Sequence, residues 1–255
     1  MGKLDKKRIL LKVGSNVLTK ESNHISRGKI EDFARQIANL QDDYEFIIVS
    51  SGAIAAAKQF VQLEGKEINV KQALASIGQP HLMRIYQENF RELGLLTSQC
   101  LLSYSDFEKE EAKNNITNTI NVLVKNNYIP IINENDTVAT DEIKFGDNDK
   151  LAALTAVLLK VDLFIIATNT DGIYTKESIE DKKATTIAST SDIDTLKNEI
   201  FNTISKHGTG GMSTKIEAAT IAQKAGIETW IVNGLNDNFI ENALKNSIAF
   251  TKITL

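Results

Sequence analysis

Short runs of apolar, often β-branched residues recur along the chain and predict β-strands. Several of these runs are apolar on consecutive rather than alternate positions, which is typical of strands that are covered on both faces. The runs span residues 8–13, 45–50, 96–102, 128–133, 163–168 and 228–233. We therefore expect a mostly parallel sheet that is buried between helices.

Apolar residues between these runs recur at helical spacing and predict amphipathic helices. Three stripes stand out: Ile30, Phe33, Ile37 and Leu40; Leu151, Leu154 and Leu158; and Ile216, Ala219 and Ala222. Strands that alternate with helices predict an α/β fold with right-handed crossovers. Because no linker-like segment interrupts the 255 residues, we expect a single domain over 1–255.

The composition is that of an ordinary soluble globular protein, with 42% hydrophobic and 24% charged residues. The formal net charge is −4 and the basic residues are scattered among acids, which argues against a nucleic-acid partner. No apolar segment approaches the roughly 18 residues of a membrane span, and Lys12 interrupts the first apolar run before a signal-peptide core could form. The single cysteine, Cys100, has no disulfide partner, so we expect a cytoplasmic protein.

Small and polar residues follow the first two predicted strands, where ligands of open α/β sheets bind. The first strand ends in KVGSN, with Lys12 and Gly14, and the second ends in SSGA, with Ser51 and Gly52. Free backbone N–H groups there could receive phosphate or carboxylate oxygens. The alternative is a plain connection with a solvated lysine.

The segment after the fourth predicted strand is dense in carboxylates and amides. It reads NENDTVATDEIKFGDNDKLAA and contains Asn133, Glu134, Asn135, Asp136, Asp147, Asn148 and Asp149. Such density is costly unless it faces water or a ligand. One interpretation is a site that holds an ammonium group and orients lysines. The other is a polar hairpin followed by a helix whose N-terminus attracts acids.

The stretch GTGGMSTK, residues 208–215, places three glycines before a lysine and a helical pattern. With Thr214 as N-cap and Glu217 three residues later, a capping box would put Lys215 in the first helical turn. A lysine there opposes the helix dipole, and a bound anion would relieve that conflict. We therefore expect a phosphate-binding loop. It is not a P-loop, because Thr214 precedes the lysine instead of following it. A merely flexible glycine turn is the alternative.

The candidate residues favour phosphoryl transfer to an acceptor that needs no deprotonation. Two lysines and an acid lie on separate loops, and the sequence offers no candidate histidine base. A carboxylate is such an acceptor, because a glutamate side chain with a pKa of about 4.3 is already ionised near pH 7. Lysines and a metal ion could offset the repulsion between the reacting anions. The three histidines show no metal-ligand spacing, so we expect no metal site built from protein side chains.

Four segments together resemble the amino acid kinase family: KVGSNVLT, SSGAIAAA, INENDTVATDEIKFGDND and GTGGMSTK. Their order and spacing match from Arg8 to about Val232. The resemblance to the glutamate-phosphorylating members implies ATP-dependent phosphorylation of the L-glutamate side-chain carboxylate to γ-glutamyl phosphate, the first step of proline biosynthesis. It also implies a three-layer α/β sandwich with an eight-stranded, mostly parallel sheet. Glutamate would bind the N-terminal part, and ATP the part from about residue 165.

The resemblance also implies roles for individual residues. Lys12 and Lys215 would neutralise the transferring phosphoryl group, and Asp149 would orient both lysines. The implied glutamate-binding residues are Ser51, Gly52, Asn133, Asp136, Asp147 and Asn148. The implied ATP-binding residues are Lys12, Gly14, Thr168, Asn169, Thr209, Gly210, Gly211, Met212, Ser213, Thr214 and Lys215. Mg²⁺ would bridge the phosphates, bound mostly by the oxygens of ATP.

The chain departs from the family pattern at three points. Asn169 stands where an acid is usual, so the nucleotide contact there brings no charge. Ala57 stands where glycine is common. A C-terminal PUA-type domain, which many members carry, is not expected here. Family members are also commonly inhibited by proline and form dimers or tetramers, but neither property can be assigned to residues of this sequence. The alternatives are a related kinase acting on another carboxylate or phosphate acceptor, and a non-catalytic amino acid or nucleotide sensor.

Overall fold

The computed structural model describes residues 6–20, 22, 24–63, 65, 67–138, 148–174, 185–196 and 210–255. Within these ranges eight strands form one sheet in the order β3-β4-β2-β1-β5-β7-β8-β6. The strands are β1 (Lys7–Val13), β2 (Tyr44–Ser50), β3 (Leu96–Leu102), β4 (Tyr128–Glu134), β5 (Leu163–Thr168), β6 (Ser189–Thr190), β7 (Glu228–Asn233) and β8 (Thr251–Ile253).

The sheet is mostly parallel, as the apolar runs predict. Among the described strands, β7 and β8 form the one antiparallel pair, and β8 pairs in parallel with β6. All six strands predicted from apolar runs are confirmed. Strands β6 and β8 were not predicted, because two or three residues are too few to show a hydrophobic period.

Helices cover both faces of the sheet within the described ranges. They are α1 (Ser15–Leu18), α2 (Arg27–Leu40), α3 (Ala53–Ala57), α4 (Ile68–Glu92), α5 (Glu110–Lys125), α6 (Asp149–Leu159), α7 (Gly210–Lys224) and α8 (Phe239–Leu244), with a 3-10 turn over Tyr104–Phe107. One apolar core lies between the sheet and α2, α4 and α8, and the other lies between the sheet and α5, α6 and α7. This arrangement confirms the predicted three-layer α/β sandwich.

Strand β1 lies in the middle of the sheet and sets the position of the site. It pairs with β2 and β5, and Lys12 is in register with Val49 and Ile166. Alternate β1 residues enter opposite cores: Ile9 and Leu11 belong to the α2 side, whereas Leu10 belongs to the α6 side. Lys12 follows Leu10 by two residues, so its side chain is expected on the α6 side.

Two of the three predicted helical stripes lie as expected. In α2, Ile30, Phe33 and Ile37 are buried and Leu40 packs half-buried against the same core, and in α7 the predicted stripe is buried throughout. The α6 stripe is wrong in part, because Leu154 and Leu158 are only half-buried. Helix α6 is apolar around most of its circumference, so its period does not identify the face that meets the sheet; alanines do so instead, allowing close packing. No helix in the described parts of the chain combines the length and apolarity that crossing a membrane requires.

Candidate active site

Three charged side chains meet beyond the carboxyl end of β1. Lys12 Nζ lies 2.5 Å from Asp149 Oδ1, and Lys215 Nζ lies 3.0 Å from Asp149 Oδ2. The fold brings them together because β1 ends at the site while α6 and α7 begin there. The structure therefore unites two lysines that are more than 200 positions apart in sequence.

This charge cluster is shielded from water. The side chains of Asp149, Lys12 and Lys215 are 0%, 2% and 11% exposed. Burial raises the pKa of Asp149, but attraction to Lys12 and Lys215 and hydrogen bonds from both lower it more, leaving the pKa below its ordinary value. Asp149 is therefore an ionised carboxylate that fixes both ammonium groups. The cluster carries one more positive than negative charge and is suited to an anion.

Helix α7 begins earlier than the capping-box pattern predicts. It starts at Gly210, so Thr214 is not its N-cap and Lys215 lies in its second turn. The Thr214 hydroxyl donates instead to Asp149 Oδ2 at 2.9 Å and lies 3.0 Å from the Gly211 carbonyl oxygen. Lys215 Nζ also donates to that carbonyl oxygen, at 2.9 Å. The second turn of α7 is thus tied directly to Asp149, and Lys215 links it back to Gly211 in the first turn.

A cleft of about 360 Å³ opens beside this cluster. Its lining includes eight residues named from the sequence: Lys12, Gly14, Ser51, Thr168, Asn169, Gly211, Met212 and Lys215. It also includes five that sequence reasoning missed: Ser15, Asn16, Val17, Ala167 and Thr170. The sequence could have indicated these five residues, because they lie next to Gly14 at the end of β1 or next to Thr168 at the end of β5. Gly210 is the first residue of α7, Ser213 and Thr214 belong to α7 but do not line the cleft, and Thr209 lies outside the described residues.

Of the two glycines predicted at the site, Gly52 occupies a position that requires glycine. Gly14 has an extended backbone, and a Cβ there would lie 3.4 Å from Lys12 Nζ, close to ordinary contact distance. Gly52 has a φ of 100°, in the left-handed region that other residues rarely adopt, and it precedes α3. The turn after β2 therefore depends on glycine and presents Ser51 to the cleft.

Buried amides form a second part of the site beyond β2 and β4. Asn148 Nδ2 donates to the Ser50 carbonyl oxygen at 2.9 Å and to Asn133 Oδ1 at 2.7 Å. Asn133 Nδ2 donates in turn to Gln79 Oε1 at 2.8 Å. Asn148 is the residue before Asp149, so this amide chain adjoins the charge cluster.

Four buried polar atoms near this chain have no hydrogen-bond partner among the described residues: Ser51 Oγ, Gln79 Nε2, Asp136 Oδ1 and Asn148 Oδ1. Burial raises the pKa of Asp136 to about 6. Unsatisfied buried polar atoms are rare in folded proteins and call for a partner such as a ligand. Two of the four are acceptors, one is a donor and the Ser51 hydroxyl can be either, a set that suits a ligand with both an ammonium and a carboxylate group.

The structure places the other sequence candidates as follows. Asp147 lies outside the described residues, as does most of the segment that could have formed a polar hairpin. Gln79 was not singled out from the sequence. The sequence does hold one indication of its role. Gln79 is an amide in the middle of a helical pattern and next to Gly78, on the buried face of α4, which apolar residues normally occupy.

Known proteins resemble this chain over most of its length. The sequence pattern of the amino acid kinase family matches residues 7–233. The chain is 44% identical over 240 residues to a glutamate 5-kinase of Caldanaerobacter subterraneus subsp. tengcongensis, covering 91% of this chain and 64% of that protein. It is 40% identical over 245 residues to a glutamate 5-kinase of Alkaliphilus metalliredigens, covering 94% of this chain and 93% of that protein. The chain thus spans less than two thirds of the first relative and nearly all of the second.

Two solved structures share the fold at low sequence identity. A UMP kinase from Ureaplasma parvum superposes with a TM-score of 0.62 and 19% identity, covering 99% of this chain and 100% of that one. An isopentenyl phosphate kinase superposes with a TM-score of 0.63 and 18% identity, covering 96% of this chain and 100% of that one. These likenesses support the three-layer architecture alone.

Proposed function

Because the chain belongs to the amino acid kinase family, we propose that it transfers the γ-phosphoryl group of ATP to the side-chain carboxylate of L-glutamate. A carboxylate oxygen attacks the γ-phosphorus, the bond between that phosphorus and the β–γ bridging oxygen breaks, and ADP leaves. The products are γ-glutamyl phosphate and ADP. In proline biosynthesis this is the first step.

The observation that carries the proposal is the buried cluster of Lys12, Asp149 and Lys215. Phosphoryl transfer needs little covalent help from a protein, but it needs positive charge around the transferring group. Two ammonium groups held 2.5 and 3.0 Å from one ionised carboxylate provide that charge in a fixed arrangement. No general base is required, because the acceptor carboxylate is already ionised near neutral pH.

The polar atoms beyond β2 and β4 support an amino acid as the acceptor. The Asp136 carboxylate and Asn148 Oδ1 both accept hydrogen bonds, which suits an ammonium group. A phosphate acceptor, as the names of the two structural neighbours imply for those proteins, would be repelled by a buried carboxylate at this place. This contrast favours a carboxylate acceptor over a phosphate acceptor.

The cleft beside α7 supports the assignment of the nucleotide site. It joins the cluster to Thr168 and Asn169 at the end of β5 and to Gly211 and Met212 in the first turn of α7. We propose that MgATP binds here as the co-substrate, with Mg²⁺ held largely by the phosphate oxygens, because Asp149 is already engaged by both lysines. Glutamate and ATP would then occupy the N-terminal and C-terminal parts of one domain.

We further propose a cytoplasmic enzyme that forms a dimer or tetramer and is inhibited by proline. Exposed apolar residues near the β3 edge support self-association: Leu96, Leu101, Val122 and Tyr128. Proline shares the ammonium and α-carboxylate groups of glutamate, so the atoms that suit those two groups could also hold proline.

The direct test is to trap the acyl phosphate. Protein, MgATP, glutamate and hydroxylamine should yield γ-glutamyl hydroxamate and ADP. Aspartate and N-acetylglutamate should give far less hydroxamate, and UMP, which cannot form a hydroxamate, should give far less ADP. Binding of glutamate or ATP without any hydroxamate from well-folded protein would support a sensor and contradict the proposal. Turnover of one of the other acceptors in preference to glutamate would replace the proposed substrate.

A further inference from the structure

Backbone groups set the direction of the amide chain formed by Asn148, Asn133 and Gln79. The backbone N–H of Glu134 donates to Asn133 Oδ1 at 2.9 Å, and a backbone N–H cannot accept a hydrogen bond. Asn133 must therefore turn its oxygen toward Glu134 and its Nδ2 toward Gln79. Gln79 must accept this hydrogen bond with its Oε1, so its Nε2 faces away from Asn133.

The opposite end of the chain is set in the same way. Asn148 Nδ2 donates to the carbonyl oxygen of Ser50, which can only accept. Within the part of the chain that the structure describes, Asn148 therefore keeps Oδ1 as an unused acceptor, while Gln79 keeps Nε2 as an unused donor. The chain presents an acceptor next to Asp149 and a donor two hydrogen bonds farther from the charge cluster.

Contacts on both sides of Gln79 fix the position of helix α4 and keep Gln79 at the end of the amide chain. A Cβ on Gly78 would overlap the carbonyl oxygen of Ala53, which shows how closely α4 approaches α3 there. One turn earlier, the Ser76 hydroxyl lies 3.0 Å from the Thr137 hydroxyl, beside Asp136. Gln79 is 8% exposed. A buried amide donor that no described residue pairs with is costly to the fold, and a ligand acceptor would remove that cost.

Resting on the proposed function, we propose that Gln79 determines specificity by donating from Nε2 to the α-carboxylate of the bound glutamate. The reacting carboxylate must lie by Lys12 and Lys215, which adjoin the Asn148 end of the chain. A donor at the Gln79 end is then available for the other anionic group of the amino acid. Asp136 and Asn148 supply acceptors for its ammonium group.

Two substitutions separate this role from a purely structural one. Gln79→Glu keeps an oxygen to accept from Asn133 Nδ2 but replaces the donor with an anionic oxygen. Gln79→Met removes both functions at similar volume. Loss of a hydrogen bond to a charged group is worth about 1.5–3 kcal/mol, or about 10- to 150-fold. Both variants should raise the KM for glutamate at least about 10-fold while changing kcat less than about 3-fold.

Substrate analogues give a readout that a structural role would not move. 4-Aminobutyrate is glutamate without the α-carboxylate, and glutarate is glutamate without the ammonium group. In kcat/KM, the preference for glutamate over 4-aminobutyrate should fall at least about 10-fold in both variants, whereas the preference over glutarate should stay within about 3-fold. A preference over 4-aminobutyrate that is unchanged in folded Gln79→Glu would overturn the proposal.

Calorimetric binding of glutamate without nucleotide distinguishes failure of this inference from failure of the proposed activity. Wild-type protein that binds glutamate but makes no hydroxamate would end the kinase proposal, while Gln79→Glu should still bind glutamate at least about 10-fold more weakly. Equal affinity of wild type and Gln79→Glu would overturn the Gln79 inference alone. Wild-type protein that neither binds nor phosphorylates glutamate would overturn both.

Discussion

Replacement of Lys215 by alanine tests the charge cluster at its most accessible member. The variant loses the ammonium group that lies 3.0 Å from Asp149 Oδ2. Asp149 keeps Lys12 at 2.5 Å and the Thr214 hydroxyl at 2.9 Å, so its charge remains compensated. The Lys215 side chain is 11% exposed, so its removal leaves a gap that water can reach. We expect a folded protein with an impaired reaction.

The expected fall in kcat follows from the proposed role of Lys215, which is to stabilise charge in the transition state. Removal of one preorganised group that stabilises transition-state charge typically costs about 100- to 1,000-fold in kcat, or about 2.7–4 kcal/mol. The loss of one charge-assisted hydrogen bond to Asp149 should lower the free energy of unfolding by about 1.5–3 kcal/mol. That is less than the total stability of about 5–15 kcal/mol of most domains, so the catalytic effect can be measured on folded protein.

Hydroxamate formation gives kcat and KM for the variant, and Lys224→Ala is the matched control. Lys224 is an exposed lysine in the last turn of the same helix α7, far along the helix from Asp149. We expect kcat to fall at least about 100-fold in Lys215→Ala and to change less than about 2-fold in Lys224→Ala. If folded Lys215→Ala retains kcat within about 3-fold of wild type, Lys215 does not stabilise the transition state and α7 only shapes the fold.

Three further perturbations test other parts of the account. The pKa of Asp136 is raised to about 6, so the KM for glutamate should rise up to about 10-fold per pH unit below pH 6, and Asp136→Asn should have a high KM without this dependence. Thr214→Val removes a hydrogen bond to Asp149. It should lower kcat about 10-fold and change the KM for glutamate and the KM for ATP little. Gly78→Ala should lower the free energy of unfolding by at least about 1–3 kcal/mol, because its Cβ would overlap Ala53. The control for that change is Gly28→Ala, because a Cβ on Gly28 would meet nothing within 4 Å. This variant should leave the free energy of unfolding unchanged or raise it by up to about 1 kcal/mol. Denaturant titrations measure both changes.

The sheet and the position of the site could be predicted from the sequence for a physical reason. Strands covered on both faces must be apolar at consecutive positions, so β1, β2, β4 and β5 are visible as continuous runs. Because ligands of parallel sheets bind beyond the carboxyl ends, the ends of those runs indicate where a candidate site can form. Ser51 directly follows β2, Lys12 is the last residue but one of β1, and Asn148 donates to the carbonyl oxygen of Ser50 at the end of β2.

Features that depend on tertiary contacts could not be predicted. The start of α7 at Gly210 departs from the capping pattern because the Thr214 hydroxyl contacts Asp149 on another helix. The buried face of α6 is hidden by a sequence that is apolar nearly all around. The proposed role of Gln79 depends on the backbone N–H of Glu134 and on the close approach of α4 to α3, neither of which leaves a periodic signal in the chain.

In the proposed reaction, a side-chain carboxylate attacks the γ-phosphorus of ATP between Lys12 and Lys215. The most direct measurement uses glutamate labelled with ¹⁸O in its side-chain carboxylate, together with MgATP and hydroxylamine. Hydroxylamine attacks the acyl carbon, so the released phosphate keeps the oxygen that bridged carbon and phosphorus. The account predicts one ¹⁸O atom in the phosphate for each hydroxamate formed. Unlabelled phosphate, or label in AMP, would contradict it.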